Sequence, residues 1–144
     1  MSTNSNKPSI LFWVIGIIAL IWNAMGVNAY LQEAYNTDAY KAMHSEDQLE
    51  LIDNLPAWYT AVFAIAVFVS VIACLLLLFK NKLAVPAFLI ALIAVIIQTG
   101  YNVFINEGRE LYGVMEYSML VLIPMFSLFL YWYSKKALAK GWLS

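Results

Sequence analysis

Charge is scarce in this chain. Lys, Arg, Asp and Glu together make up 12% of its 144 residues, against about 25% in an ordinary soluble domain. Cysteine and histidine are scarcer still, one of each, at Cys74 and His44. One cysteine excludes an internal disulfide, a CxxC redox pair and a thiolate cage for zinc. One histidine excludes haem ligation by two histidines of a single chain. The sequence carries no Ser/His/Asp set, no phosphate loop and no metal-ligand cluster. Beyond a short lysine-bearing tail it has no basic patch, so nucleic acid is not an expected partner. These lacks point away from an enzyme and from a resident cofactor or metal.

What is present is apolar. Hydrophobic residues make up 63% of the chain and the mean hydropathy is +0.75. A core of this size cannot hide that much apolar surface, so lipid must cover part of it. A bilayer crossing needs about 20 apolar residues. Four runs qualify, at about Ile10 to Tyr30, Trp58 to Phe79, Leu83 to Phe104 and Val114 to Tyr133. Helix is the expected form, because lipid offers the backbone no partner outside a helix or a closed barrel, and the period-2 alternation of barrel strands is absent. The expected fold is an all-α membrane protein, one domain over residues 1–144. It has an outer loop at 31–57 and a tail at 134–144.

Orientation follows from the basic residues near span ends. Lys7, Lys80, Lys82, Lys135, Lys136 and Lys140 fall on one side, with no acid among them. Lys41, Arg109 and all nine acidic residues fall on the other. The expectation is a multi-pass protein of the bacterial inner membrane with both termini cytoplasmic. Aromatic residues are expected as interface anchors. Tyr30, Trp58, Tyr59 and Tyr117 mark the outer level. Phe12, Trp13, Phe79, Tyr131, Trp132 and Tyr133 mark the inner one. Val27-Asn28-Ala29 resembles a signal-peptidase site. A single basic residue before the run, and Asn23 and Met25 close to the site, favour a retained span instead.

The outer loop is too long for a plain connection. Ser45 followed by Gln48 makes a capping-box pattern. Leu49, Ile52 and Leu55 follow at spacing three, which predicts a short amphipathic helix over Glu46 to Asn54, stopped by Pro56. The alternative is a solvated acidic loop. Lys135 to Ser144 mixes lysines with Leu138, Trp142 and Leu143, a composition suited to anionic lipid headgroups at the inner interface.

One polar phrase occurs twice. GVNAYLQE starts at Gly26 and GYNVFINE at Gly100. A shift of 74 residues superposes Gly26 on Gly100, Asn28 on Asn102 and Glu33 on Glu107. The repeat predicts two helical hairpins of like topology, spans one and two and then spans three and four, related by an axis along the membrane normal. Paired polar groups would then meet at the outer end of a four-helix bundle.

Polar residues within the spans carry the candidate site. Gln98, Tyr101 and Asn102 share a helix face by the i, i+3, i+4 rule. Amides facing lipid would be left without partners, so they should point inward. One reading is adhesion: Asn and Gln hydrogen-bond between helices, and Ala19, Asn23 and Gly26 form a small-residue strip for close approach. The other is an outward-opening ligand pocket lined by Asn23, Asn28, Gln98, Tyr101 and Asn102, with Tyr59 and Glu116 near its rim. Neutral amides and phenols suit polyols, lipid headgroups or quinone carbonyls. Glu116 is the one acid that can fall within a span, either as a proton relay or simply wetted by the interface. Pro124 lies mid-span and should kink the fourth helix. Cys74 reads as a small packing residue.

WNAMGVNAYLQEAY, PAWYTAVFAIAVF, CLLLLFKNKLAVPAFLIALIAVIIQTGYNVF and the terminal KKALAKGWLS together resemble a group of small bacterial four-span proteins labelled "sugar transporter". In size and span layout the chain is more loosely similar to DoxX-like membrane proteins. The resemblance covers nearly the whole chain and implies a four-span fold. It brings no catalytic or binding residues with it. The expected function is binding, with transport as its extension, of a small polar solute, lipid or quinone in the outward-facing pocket. The alternative is a non-catalytic subunit or scaffold of a membrane complex. The expected partners are membrane lipids, a small-molecule ligand, and a second copy or a membrane partner protein.

Overall fold

The computed structural model describes residues 7–105 and 113–144, and within them it is helical with no strand. Four of its helices are long and apolar enough to cross a membrane.

Local chemistry sets where each helix begins and ends. Helix α1 (Ile10–Tyr35) starts where Ser9 Oγ accepts the N–H of Phe12 at 3.3 Å. It stops where Asn36 turns left-handed, at φ 49°, and gives its N–H to the carbonyls of Gln32 and Glu33. At 26 residues α1 runs about 39 Å, beyond the ~30 Å of a hydrocarbon core, so its last turn projects past the span predicted to end at Tyr30. Two short helices follow. Thr37 Oγ1 caps α2 (Asp38–Ala42) by accepting Tyr40 N–H at 3.2 Å. Ser45 and Gln48 cap α3 (Glu46–Asp53) reciprocally, at 2.9 and 3.2 Å. Pro56 then opens α4 (Ala57–Leu78). Lys80 takes φ 59°, which lets Asn81 N–H reach the carbonyl of Leu76 at 2.8 Å and closes that helix. Asn81 Oδ1 accepts Leu83 N–H at 2.9 Å as α5 (Ala84–Phe104) begins, with Pro86 in its first turn. Helix α6 (Val114–Ala139) is continuous through Pro124 and runs six residues past the predicted end of its span.

The helices pack in chain order, α1 on α4, α4 on α5 and α5 on α6. Rings close the circle. Trp22 of α1 stacks on Phe126 of α6 with centroids 5.1 Å apart, and Phe12 stacks on Tyr133 at 6.4 Å. The two ends of the bundle differ. At the lysine end all four long helices share one core, with Phe12, Leu77, Phe88 and Leu130 buried together. Toward the acid end the buried cluster is Ala66, Ala94 and Val95, with Val62 against it, from α4 and α5 alone. There the first turns of α6 leave the bundle: Val114, Met115, Tyr117, Met119, Val121, Leu122 and Ile123 are all exposed. Leu120 and Pro124 are half-buried, and Pro124 is the residue whose missing N–H interrupts the helical ladder.

Two expectations change. The tail does not simply lie along a headgroup layer. Gly141 takes φ 81°, Trp142 N–H bonds the carbonyl of Ala137 at 3.0 Å, and the chain folds back under the bundle. Leu143 joins the core at 3% exposure, and Ser144 exchanges two backbone bonds with the α4–α5 turn, its N–H to Lys80 at 2.9 Å and its carbonyl from Lys82 at 3.2 Å. Some expected interface anchors are core residues: Phe12, Tyr59 and Tyr133 are buried, whereas Trp13, Trp58, Phe79, Tyr117 and Trp132 are exposed. The buried three sit on the faces that α1, α4 and α6 turn to their neighbours, so packing overrides the aromatic preference for the interface.

Candidate functional site

Near the acid end, α4 and α5 are joined by side-chain amides converging on one phenol. Tyr59 lies in the first turn of α4, and its side chain is 7% exposed. Gln98 and Asn102 are one turn apart on α5 and face it together. Gln98 Nε2 donates to the Tyr59 hydroxyl at 3.3 Å. Asn102 meets the same oxygen with both ends of its amide, Nδ2 at 3.0 Å and Oδ1 at 3.2 Å. One amide cannot bond strongly through both ends to a single atom, so these two contacts act as one. With Oδ1 as acceptor, a chain runs from Gln98 N–H to the Tyr59 hydroxyl to Asn102, each bond polarising the next.

Aromatic rings frame this cluster. Tyr101 lies 4.8 Å from Tyr59 and edge-on to Trp58 at 5.3 Å. Tyr101, Gln98 and Asn102 are half-buried, so the cluster reaches the bundle surface. Among the described residues nothing engages Gln98 Oε1, which is a free acceptor on that surface. A hollow of about 770 Å³ opens along the acid-end half of α6. It is lined by Gly113, Val114, Tyr117, Ser118, Val121 and Leu122, all from one stretch of chain, with Tyr117 and Ser118 as its polar side chains.

The predicted site residues therefore divide. Tyr59, Gln98, Tyr101 and Asn102 come together. Asn23 does not join them: its Nδ2 bonds the Ala19 carbonyl of its own helix at 2.9 Å and Cys74 Sγ at 3.3 Å. Cys74 lies 15 residues further along α4 than Tyr59, about 22 Å at the helical rise. Asn28, the repeat partner of Asn102, is exposed. The repeat glycines also differ. A Cβ on Gly26 would lie 3.2 Å from Val67, whereas one on Gly100 would meet nothing within 4 Å. Glu116 falls in the first turn of α6, and its side chain lies outside the described residues, as do Asn106, Glu107 and Arg109.

The sequence reading missed α2 and what it holds. Tyr40 is 8% exposed, and its hydroxyl has no partner among the described residues. Burial, then the carboxylates of Glu33 and Asp53, push that hydroxyl well above the usual phenol range. Its ring lies 4.4 Å from His44, whose Nδ1 is 2.8 Å from the Tyr40 carbonyl. A carbonyl only accepts, so Nδ1 carries the proton. The cap pattern of Thr37 before Asp38 was the available signal. Among the described residues no group of three or more His, Cys, Asp or Glu side chains is placed to hold a metal ion.

Compared with protein families, with curated proteins and with solved structures, the chain matches none.

Proposed function

We propose that this protein binds a small amphiphile at the acid end of its bundle, as an outward-facing membrane receptor or carrier for a lipid- or quinone-like molecule. The observation that carries this reading is the difference between the two ends. The lysine end is packed by four helices and covered by the tail, while the acid end is opened by the departure of α6. The charge bias of the loops puts the open end outside the cell.

The chemistry of the open end favours an amphiphile over a free sugar. The hollow on α6 is mostly aliphatic, at Val114, Val121 and Leu122, with one phenol and one hydroxyl at Tyr117 and Ser118, a mixture that suits an amphiphile better than a free sugar. Gln98 Oε1 offers an acceptor to a hydroxyl, and its remaining N–H a donor to a carbonyl. The short helix α3, with Leu49, Ile52 and Leu55 half-buried beneath exposed acids, serves in this reading as an amphipathic cover over the mouth. If the bound molecule is carried across, the tail is the seal that must open at the lysine end. The "sugar transporter" resemblance agrees with carriage but not with the apolar half of the lining.

The test is native mass spectrometry of the protein released gently from detergent, with bound molecules identified. A reproducible lipid or quinone that is lost from Gln98→Leu, while the variant stays folded, supports the reading. A protein free of such molecules but joined to a stoichiometric partner chain refutes it in favour of a scaffold, for which the exposed turns of α6 are the available surface.

A further inference from the structure

The lysine end holds a problem of charge. Lys80 and Lys82 flank the α4–α5 turn, Lys140 precedes the fold-back of the tail, and all three side chains are exposed. The backbone bonds from Ser144 to Lys80 and Lys82 bring these two segments side by side. Lys135 and Lys136 lie one turn before Lys140 on α6. Every Asp and Glu of the chain lies between residues 33 and 53 or between 107 and 116, and none falls in the segments that form the collar. No acidic side chain therefore neutralises this collar.

Two local features oppose the arrangement. Lys80 holds φ 59°, a left-handed conformation in which glycine would be unstrained. Trp142 Nε1 is buried with no acceptor among the described residues. Strain kept at a lysine, where glycine would close the helix better, points to a use for the ammonium group at that spot. Rings hold other ammonium groups at interface depth: Lys140 Nζ lies 4.9 Å from the Trp142 centroid, Lys136 Nζ 5.1 Å from Trp132 and Lys135 Nζ 5.4 Å from Tyr131.

We propose that this collar is a binding site for the headgroup of an anionic phospholipid, built where the tail pairs with the α4–α5 turn and lined by Lys80, Lys82 and Lys140. The occupant follows from charge and depth. The collar is cationic, it surrounds the end of a bundle whose sides are apolar, and the exposed Trp132 and Phe79 mark the level where headgroups lie. A bound phosphodiester supplies counter-charge that no Asp or Glu of these segments offers and bridges tail to turn, holding the lysine end closed. The site does not depend on the ligand reading for the acid end.

The experiment uses the full chain in nanodiscs made from phosphatidylcholine with increasing phosphatidylglycerol. Lipids retained after extraction into mild detergent are counted by native mass spectrometry. The wild type should retain phosphatidylglycerol in clear excess over its share of the bilayer. The variant K80G/K82Q/K140Q should lose roughly 100-fold of that preference, at about fivefold for each ammonium group removed. K80G alone relieves backbone strain, so it stays folded and isolates one charge. K41Q, at the acid end, should leave retention unchanged. Retention that follows bulk composition, or that survives the triple substitution, overturns the proposal. Displacement of the lipid by millimolar inorganic phosphate overturns it as well, because the site would then recognise a free anion.

Discussion

Replacing Tyr59 by Phe removes one hydroxyl and nothing else. The ring packing against Tyr101 at 4.8 Å remains, so the change tests the hydrogen bonds alone. Two amides depend on that hydroxyl, Gln98 at 3.3 Å and Asn102 at 3.0 Å. Interhelical hydrogen bonds in membranes average about 0.6 kcal/mol, with a maximum near 1.7. Two such bonds give about 1.2 kcal/mol as the expected loss and about 3 kcal/mol as its ceiling. A double-mutant cycle assigns the loss. Tyr59→Phe with Asn102→Leu should show a coupling of about 0.6–1.7 kcal/mol, because the Asn102 contact is the shorter. Tyr59→Phe with Gln98→Leu should couple at about 0.6 kcal/mol or less. Tyr59→Phe with Asn23→Ala should be additive, since Asn23 bonds Cys74 far along α4. Reversible unfolding in bicelles, followed by helical circular dichroism, reads all three cycles. A stable Phe variant with no coupling to either amide would refute the view that this cluster joins α4 to α5.

Tyr40 gives the opposite prediction from the same chemistry. Its buried hydroxyl has no partner among the described residues, so Tyr40→Phe should raise stability by about 1 kcal/mol in the same unfolding assay. The glycines separate in a similar way. A Cβ on Gly16 would lie 2.5 Å from the terminal methyl of half-buried Leu78, which must rotate away, so Gly16→Ala should destabilise by about 1 kcal/mol. Gly100→Ala meets open space and should gain up to about 1 kcal/mol from helix propensity. At the lysine end, Leu143→Ala should cost about 2–3 kcal/mol and make the tail a site of limited proteolysis, because Leu143 is part of the core.

The spans were legible because their signal is cumulative. Twenty apolar residues in a row leave little else for the chain to be, and α4 and α5 fall within one residue of the expected bounds. The capping box of Ser45 and Gln48 was legible because it is a contiguous pattern with one geometry. The α5 half of the site was legible by periodicity, which places Gln98, Tyr101 and Asn102 on one face. Tyr59 entered from its level at the start of its span. Other features depend on which neighbour each face meets, and composition does not carry that. Asn23 and Gln98 look equivalent in sequence, yet helix pairing sends one to Cys74 and the other to Tyr59. Leu143 looks like an interfacial residue until Gly141 turns the chain beneath the bundle.

The same logic bears on which half of the molecule is free to move. At the lysine end, long side chains from all four spans fill one core, and the tail adds Leu143 and two backbone bonds beneath it. Separating helices there exposes Phe12, Phe88 and Leu77 together. At the acid end the buried apolar cluster is Ala66, Ala94 and Val95, small side chains from two helices, with the buried Tyr59 beyond it. Little packing is lost when the other helices shift around that pair. What joins α4 to α5 there is the hydrogen-bonded cluster of Tyr59, Gln98 and Asn102, while most apolar side chains on the first turns of α6 are exposed. Under the proposed function, the motion that admits a ligand would swing the acid-end half of α6 about Pro124, against a fixed α4–α5 pair, while the lysine end stays closed.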